Sequence, residues 1–369
     1  MIEPAIIALN SGSSSLKFGL YRVGPAGVVT IMSGKAETLG QGKAVFHAQD
    51  GDGRELISET ISLSHPNAAL DRVRTLIGDR QLPAPAAVGH RVVHGGPSLR
   101  RHCLLDDAVL SELEAATPFA PLHIPPALEV IREAERLFPS IPKVACFDTA
   151  FHAGMPDVAR ILPLPREFRA EGIERYGFHG LSCESIVRQL GDVLPARLVI
   201  AHLGNGASVT AVENGRSVDT SMGLTPSGGV IMGTRTGDLD PGVLIYLARA
   251  RALDPDQLEQ LIDRQSGLLG ISGIDSDMRR LHEAAVTDPD ARLAVDMFCY
   301  SVRKQIAAMA AALGGIDMLL FTGGIGEHDA VVRGRICGGL SVIGVTMARV
   351  LPSQEDEQIA LHSAALIAA

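Results

Sequence analysis

Residues 198–240 limit this chain more than any other stretch. Leu198 to Ala201 is a short apolar run whose β-branched members suit a buried strand. His202-Leu203-Gly204-Asn205-Gly206 comes next as a tight turn, and Asn-Gly between two β-rich runs is a strong hairpin signal. Ala207 to Val212 then reads as a second strand, Asn214-Gly215 as another hairpin turn, and Arg216 to Ser221 as a third strand. Taken alone, each Asn-Gly is equally well a plain turn. The neighbouring residues change the balance. Thr220 to Asp240 is a long Gly-, Ser- and Thr-rich stretch that delivers Arg235, Asp238 and Asp240 close together. Met222, Leu224, Val230, Ile231 and Met232 give it apolar anchors, which argues against disorder. Small residues let backbone N–H groups approach an anion, and an Arg there can make charge-assisted bonds to phosphate or carboxylate.

The same pattern occurs near the beginning of the chain. Ile6 to Leu9 is a buried-strand run leading into Asn10-Ser11-Gly12-Ser13-Ser14-Ser15, and Leu16 to Tyr21 returns as a strand carrying Lys17. By itself a Ser-rich turn is weak evidence. Two such hairpins in one chain point to two related halves facing one cleft. A third Gly-rich segment, Thr322 to His328, succeeds the apolar run Asp317 to Phe321. Neither a Walker A loop, nor a Rossmann fingerprint, nor the protein-kinase set of motifs is present.

Between these segments the chain alternates strand and helix patterns. Residues 22–63 are β-rich, and Asn67 to Gly78 is an amphipathic helix with Leu70, Val73 and Ile77 on one face. Val88 to Gly96 holds His90, Arg91 and His94 among small and β-branched residues; Arg91, beside Gly95-Gly96, has room for a small anion. Ala120 to Pro126 ends one helix and starts another. Val144 to Asp148 is an apolar run ending in a carboxylate, so Asp148 is a metal-ligand or base candidate, or simply a helix N-cap. Asp240-Pro241 opens a helix, Ser266 to Ser272 reads as a Gly/Leu turn, and Asp277-Met278-Arg279 lies on the next helix. Residues 289–313 form the longest helix, and Glu355 lies in an acidic first turn of a C-terminal helix.

A net charge of −9 argues against non-specific binding to nucleic acid or an anionic membrane. The five cysteines are scattered and never form a CxxC pair, so a reducing compartment fits better than a disulfide framework or zinc site. Met1-Ile2-Glu3-Pro4 has no basic signal-like character, and no apolar run reaches membrane-spanning length. The expected location is the cytoplasm.

These motifs together resemble the acetokinase family, within the superfamily of sugar kinases, Hsp70 and actin. The matching segments are Asn10 to Phe18, Gly89 to Gly96, Ala120 to Pro126, Phe147 to His152, Arg175 to Gly180, His202 to Ser208, Asp219 to Pro241, Ser266 to Gly273 and Phe321 to Glu327. The resemblance implies an α/β fold of two actin-like (ribonuclease H-like) domains with the active site in the cleft between them. The first domain would be residues 1–149 plus 354–369, and the second, nucleotide-binding domain residues 150–353.

It further implies reversible transfer of the ATP γ-phosphoryl group to acetate, with magnesium (manganese able to stand in) and a homodimer. By resemblance, Asn10 and Glu355 are the metal-site residues. Asp148, His179 and Arg235 are catalytic, Asp148 as an organiser of the metal shell. Arg91 binds the carboxylate, and Val93, Leu122, Phe178 and Pro226 form the acyl pocket. The nucleotide contacts are Lys17, His202, Leu203, Gly204, Asn205, Gly206, Asp277, Met278, Arg279, Gly324, Ile325, Gly326, Glu327 and His328.

The chain departs from the family pattern at several points. Ile124 stands after His123 where Asn is usual; Leu181-Ser182-Cys183 lacks a second His; Met278 replaces an aromatic; His328 replaces Asn; and Pro352-Ser353-Gln354-Glu355-Asp356 is altered beside a shortened segment. These bear on nucleotide preference and rate rather than on reaction class. The alternatives are the same chemistry on propionate or butyrate, and a non-catalytic nucleotide-binding actin-like protein.

Overall fold

The computed structural model describes residues 3–12, 15–37, 44–61, 66–345 and 347–369. Ser13 and Ser14 of the first Ser-rich turn lie outside the described residues. The chain divides into two compact units, Met1–Ala150 with Gln354–Ala369, and Phe151–Ser353.

The first unit is built on one sheet. Strands β1 (Ala5–Ser11), β2 (Ser15–Gly24), β3 (Gly27–Glu37), β4 (Ala44–Asp50) and β5 (Glu55–Ile61) run antiparallel in succession. On the other side of β1, β6 (Ala87–Val92) and β8 (Lys143–Phe147) are parallel, with the short β7 (Cys103–Leu104) at the edge, giving the order β5-β4-β3-β2-β1-β6-β8-β7. β1 is buried throughout its apolar run because helices cover both faces of this sheet. On one face pack α1 (Pro66–Asp79) and α3 (Ile124–Leu137), with Leu70, Val73 and Ile77 of α1 joining Ile7, Leu9 and Val88 in the core. The helix α2 (Asp107–Ala115) lies beside α3.

On β1, β6 and β8 packs the C-terminal helix Glu355–Ala368. Its approach is close enough to require glycine. A Cβ on Gly89 of β6 would lie 2.3 Å from Ser363 Oγ and 2.5 Å from Ile359 Cγ2. That contact holds the helix so that Glu355, its first residue, reaches Asn10 near the end of β1.

The second unit repeats the plan with fewer strands. Strands β9 (Arg197–Leu203), β10 (Ala207–Glu213) and β11 (Arg216–Thr220) are antiparallel, and β12 (Met318–Thr322) and β13 (Ala348–Val350) extend the sheet in parallel, in the order β11-β10-β9-β12-β13. Three antiparallel strands and then two parallel ones is also the arrangement of β3-β2-β1-β6-β8. Each unit is therefore an actin-like, ribonuclease H-like α/β layer.

The helices of the second unit are α4 (Asp157–Arg160), α5 (Arg166–Ala170), α6 (Gly180–Leu190), α7 (Pro241–Ala250), α8 (Pro255–Arg264), α9 (Gly267–Ser272), α10 (Met278–Ala284), α11 (Pro289–Ala312), α12 (Gly323–His328) and α13 (Ala330–Cys337). The 24-residue α11 packs on β9, β10 and β11. No helix among the described residues is long and apolar enough to cross a membrane.

Three local readings change. Ser266 to Ser272 is mostly the short helix α9 rather than a turn: Leu268 is buried, and left-handed Gly273 closes the helix. The Gly-rich run after β12 is itself helical from Gly323. Asn214-Gly215 does form a hairpin with both residues at positive φ, 48° and 81°, as a two-residue primed turn requires. Asn205-Gly206 also sits in the expected hairpin, since β9 and β10 pair antiparallel, but not in a two-residue primed turn: neither residue has positive φ, and the strands are joined by the three residues Gly204 to Gly206. The looser connection leaves this turn free to form part of a site.

Candidate active site

In the first unit, five polar groups meet at the ends of β1, β6 and β8. Arg91 of β6 donates from Nε and Nη2 to Oδ2 of Asp148, the residue directly after β8, at 2.8 and 2.5 Å. Its Nη1 donates to Asn10 Oδ1 at 3.0 Å. Asn10 in turn donates from Nδ2 to Glu355 Oε2 and to Asp356 Oδ1, both at 3.1 Å. Parallel pairing of β1, β6 and β8 brings their ends together, which is why residues so far apart in sequence share one cluster.

Asp148 is only 1% exposed, and burial opposes the Arg91 charge. The nearby Asp148, Glu355 and Asp356 carboxylates outweigh that penalty and hold the guanidinium pKa above its ordinary value. For Asp356, burial and the neighbouring Glu355 charge raise the carboxyl pKa, against the hydrogen bond from Asn10 and the charges of Lys17 and Arg91. Lys17 stands opposite Asn10 in the β1–β2 ladder. Of the residues expected in an acyl pocket, this unit holds Val93, buried just beyond β6, and Leu122, half-buried before α3. Asp356, which the sequence pattern does not mark, joins because the first helical turn presents two successive carboxylates to one amide.

The second unit carries a pair of histidines and a cavity. His179, in a left-handed conformation at the start of α6, stacks on His202 at the end of β9, with ring centroids 4.1 Å apart and planes 21° apart. Ser208 Oγ lies 2.9 Å from His179 Nδ1, and Ser182 Oγ 2.8 Å from His202 Nδ1, so each ring is fixed by a hydroxyl. Arg235 Nη1 donates to Pro226 O at 3.2 Å. Gly206 sits between the two candidate catalytic groups. A Cβ there would be 3.4 Å from His179 Nε2 and 3.5 Å from Arg235 Nη1. Both nitrogens thus lie close to one point beside the Gly204 to Gly206 turn.

Phe178 is held by His152, whose Nε2 bonds Phe178 O at 2.9 Å and whose Nδ1 is 2.8 Å from Ser217 Oγ. Burial pushes the His152 pKa down to about 4, so the ring is neutral. Sequence patterns do not single out His152, Ser182 or Ser208 as functional. Register supplies one signal, since Ser208 pairs directly with His202 across β9 and β10.

Beyond this turn opens a cavity of about 910 Å³. Gly204, Asn205, Asp277, Met278, Arg279, Gly324, Ile325 and His328 of the expected nucleotide contacts line it, together with His282 and Asp329. Leu203 is fully buried in β9, and Gly326 packs against its Cβ, so neither lines the cavity. Glu327 ties the backbone together instead, since its Oε1 accepts from the N–H groups of Gly323 and Ser353, each at 3.0 Å. Asp277 caps α10 through the Arg279 N–H and also pairs with the Arg279 side chain. Those bonds, led by the one to the side chain and opposed by burial, lower its pKa to about 2.

The model of the acetokinase family matches residues 5–366. The chain belongs to the acetokinase family. Among relatives, the acetate kinase of Deinococcus radiodurans is 42% identical over 392 residues, covering 98% of each chain. Among solved structures, a propionate kinase from Francisella tularensis superposes with a TM-score of 0.92 at 33% identity, covering 98% of this chain and all of that one. The acetate kinase of Porphyromonas gingivalis gives a TM-score of 0.86, also at 33% identity, over 99% of this chain and all of its own. Acetokinase membership agrees with the two actin-like units.

Proposed function

We propose that this acetokinase transfers the γ-phosphoryl group of ATP reversibly to acetate, giving ADP and acetyl phosphate. The observation that carries the reading is the convergence of His179 Nε2 and Arg235 Nη1 beside Gly206, one residue from the cavity-lining Asn205. An acetate oxygen forms the new bond to phosphorus as the bond to the β,γ-bridging oxygen breaks, and the electron pair leaves on ADP. Catalysis of this step is mainly positioning and neutralisation of charge on the equatorial oxygens. His179 and Arg235 supply donors for that charge, and Ser208 fixes the His179 ring.

Acetate is already ionised at neutral pH and needs no base. Asp148, held by Arg91, therefore orients the guanidinium rather than removing a proton. Of the five Arg91 N–H donors, three are engaged by Asp148 and Asn10, which leaves two for a carboxylate. Glu355 and Asp356 bring hard carboxylate oxygens together beside Asn10, whose amide nitrogen now holds both, and these carboxylates suit magnesium, directly or through water. Magnesium bound there would neutralise phosphate charge.

Propionate is the second reading. One methylene in an acyl pocket is worth only ~1–3 kcal/mol. The test is hydroxylamine trapping of the acyl phosphate formed from acetate, propionate or butyrate with ATP and magnesium. Acetate is expected to give the highest kcat/KM; no hydroxamate from any acid would contradict the reading. A homodimer and a cytoplasmic location belong to the same proposal, the first testable by light scattering.

A further inference from the structure

The segment that carries Arg235 is held by the junction between α8 and α9. Thr236 N donates to Ile262 O at 3.0 Å, and Ser266 N to Thr234 O at 3.0 Å. Leu268 N and Leu269 N donate to Met232 O and Gly233 O, both at 2.9 Å. The approach is close: a Cβ on Gly267, whose φ is 62°, would lie 2.2 Å from Met232 O and 2.7 Å from Arg235 O. All of these bonds join backbone to backbone. Asp263, near the C-terminal end of α8, adds two of another kind. Its backbone oxygen accepts from Thr234 Oγ1 at 2.7 Å, and its side-chain Oδ1 accepts from Ser227 Oγ. Thr234 directly precedes Arg235, and Ser227 directly follows Pro226, whose carbonyl receives Arg235 Nη1 at 3.2 Å. Pro226 O and Ser227 N belong to one peptide plane, so anchoring Ser227 sets the direction of that carbonyl. Asp263 therefore holds both the backbone beside Arg235 and the acceptor of its guanidinium.

Resting on the role given to Arg235 above, we propose that Asp263 is a positioning residue for phosphoryl transfer, its carboxylate acting through Ser227 and the Pro226 carbonyl to keep the Arg235 guanidinium aimed. Ser227 is only 8% exposed, so water is a poor substitute for the carboxylate as acceptor of its hydroxyl hydrogen. Misplacing a catalytic group by about 1 Å can cost on the order of 10²-fold in rate. The bond needs an acceptor oxygen rather than a charge, because its donor is a neutral hydroxyl. Neither Ser227 nor Asp263 is among the residues lining the cavity of about 910 Å³. The pair thus acts on turnover and not on nucleotide binding.

The test measures kcat and the KM for ATP, with acetate and magnesium, in Asp263→Ala, Ser227→Ala, Asp263→Asn and Arg235→Ala, each checked for folding by circular dichroism. Asp263→Ala should lower kcat on the order of tenfold with little change in the KM for ATP. Ser227→Ala deletes one hydroxyl from the other side of the same bond and should do the same, so the prediction stands even where Asp263→Ala does not fold. Combining the two should cost no more than either alone. Asp263→Asn keeps an acceptor oxygen and should recover most of the lost turnover, which a role for the charge would not allow. Wild-type kcat in both alanine variants, a loss that Asp263→Asn does not recover, or a raised KM with kcat kept would overturn the inference. Each of those results, with Arg235→Ala still crippled, would leave the kinase reading intact. Normal turnover by Arg235→Ala, or none by the wild-type protein, would overturn both.

Discussion

Arg91 donates twice to a single oxygen of Asp148, from Nε and from Nη2, and the carboxylate is almost wholly buried. The pair is thus a clamp on the guanidinium more than a source of stability, since burying two charges costs much of what their attraction returns. Arg91→Lys should keep the charge and lose the fork. The expected result is a fall in kcat/KM for acetate on the order of 10²–10³-fold. Arg91→Ala should in addition destabilise the protein by about 3–5 kcal/mol, by leaving Asp148 buried without its cation. Acetate kinetics and urea unfolding of the two variants check both statements; a near-normal Arg91→Lys enzyme would remove the clamp from the account.

Gly206→Ala tests the convergence of His179 and Arg235. The new Cβ meets both groups at ordinary contact distance, and the residue does not have positive φ. The fold should therefore tolerate it, with thermal unfolding shifted little. The methyl group would nonetheless stand where the transferring phosphoryl oxygens must approach. Turnover should fall by about tenfold or more, as one excluded donor contact implies. A variant that folds and turns over normally would place the reacting group elsewhere.

Gly89→Ala probes the C-terminal helix at a distance from any ligand. Its Cβ would collide with Ser363 and Ile359, so the helix must move or the sheet must give. Overpacking of this kind costs about 1–3 kcal/mol. Because the same helix delivers Glu355 and Asp356 to Asn10, the magnesium concentration needed for half-maximal rate should rise as well. Glu355→Gln should raise that requirement about tenfold or abolish activity, as loss of one ligand carboxylate implies. Glu357→Gln should change it little. Equal effects at 355 and 357 would mean that another residue holds the metal.

Most of the fold was legible because its strands are short apolar runs with turn residues between them, and its helices show clear apolar faces. Leu70, Val73 and Ile77 fall where periodicity put them. Boundaries were less legible where glycine is dense. Ser266 to Ser272 and Gly323 to His328 look like loops in composition but are helical; in the first, burial of Leu268 outweighs weak propensity. For the candidate site, the motif residues were readable, but the partners that aim them were not. Ser208, Ser182 and Asp356 are ordinary residue types whose places come from pairing register or from helix packing.

Buried histidines give the protein a definite acid response. Burial holds His152 near pKa 4, and burial together with Lys143 holds His90 near 3, below the ordinary 6.5. Above about pH 6.5 neither affects stability, since both states are neutral. As pH falls below that value, the unfolded chain takes up protons that the folded chain refuses, and stability declines until the folded-state values are reached. Each histidine contributes a slope of about 1.4 kcal/mol per pH unit. His152→Gln should remove one of these contributions; urea unfolding between about pH 6.5 and 4.5 measures the slope. An unchanged slope would mean that His152 is protonated in the folded protein.

The most direct test of direct transfer tracks the phosphorus atom itself. With ATP made chiral at the γ-phosphoryl group by oxygen isotopes, acetyl phosphate should form with inverted configuration, as a single in-line transfer to acetate requires. Net retention would mean two successive transfers through a phosphorylated residue, and would contradict the proposed roles of His179, Arg235 and Arg91.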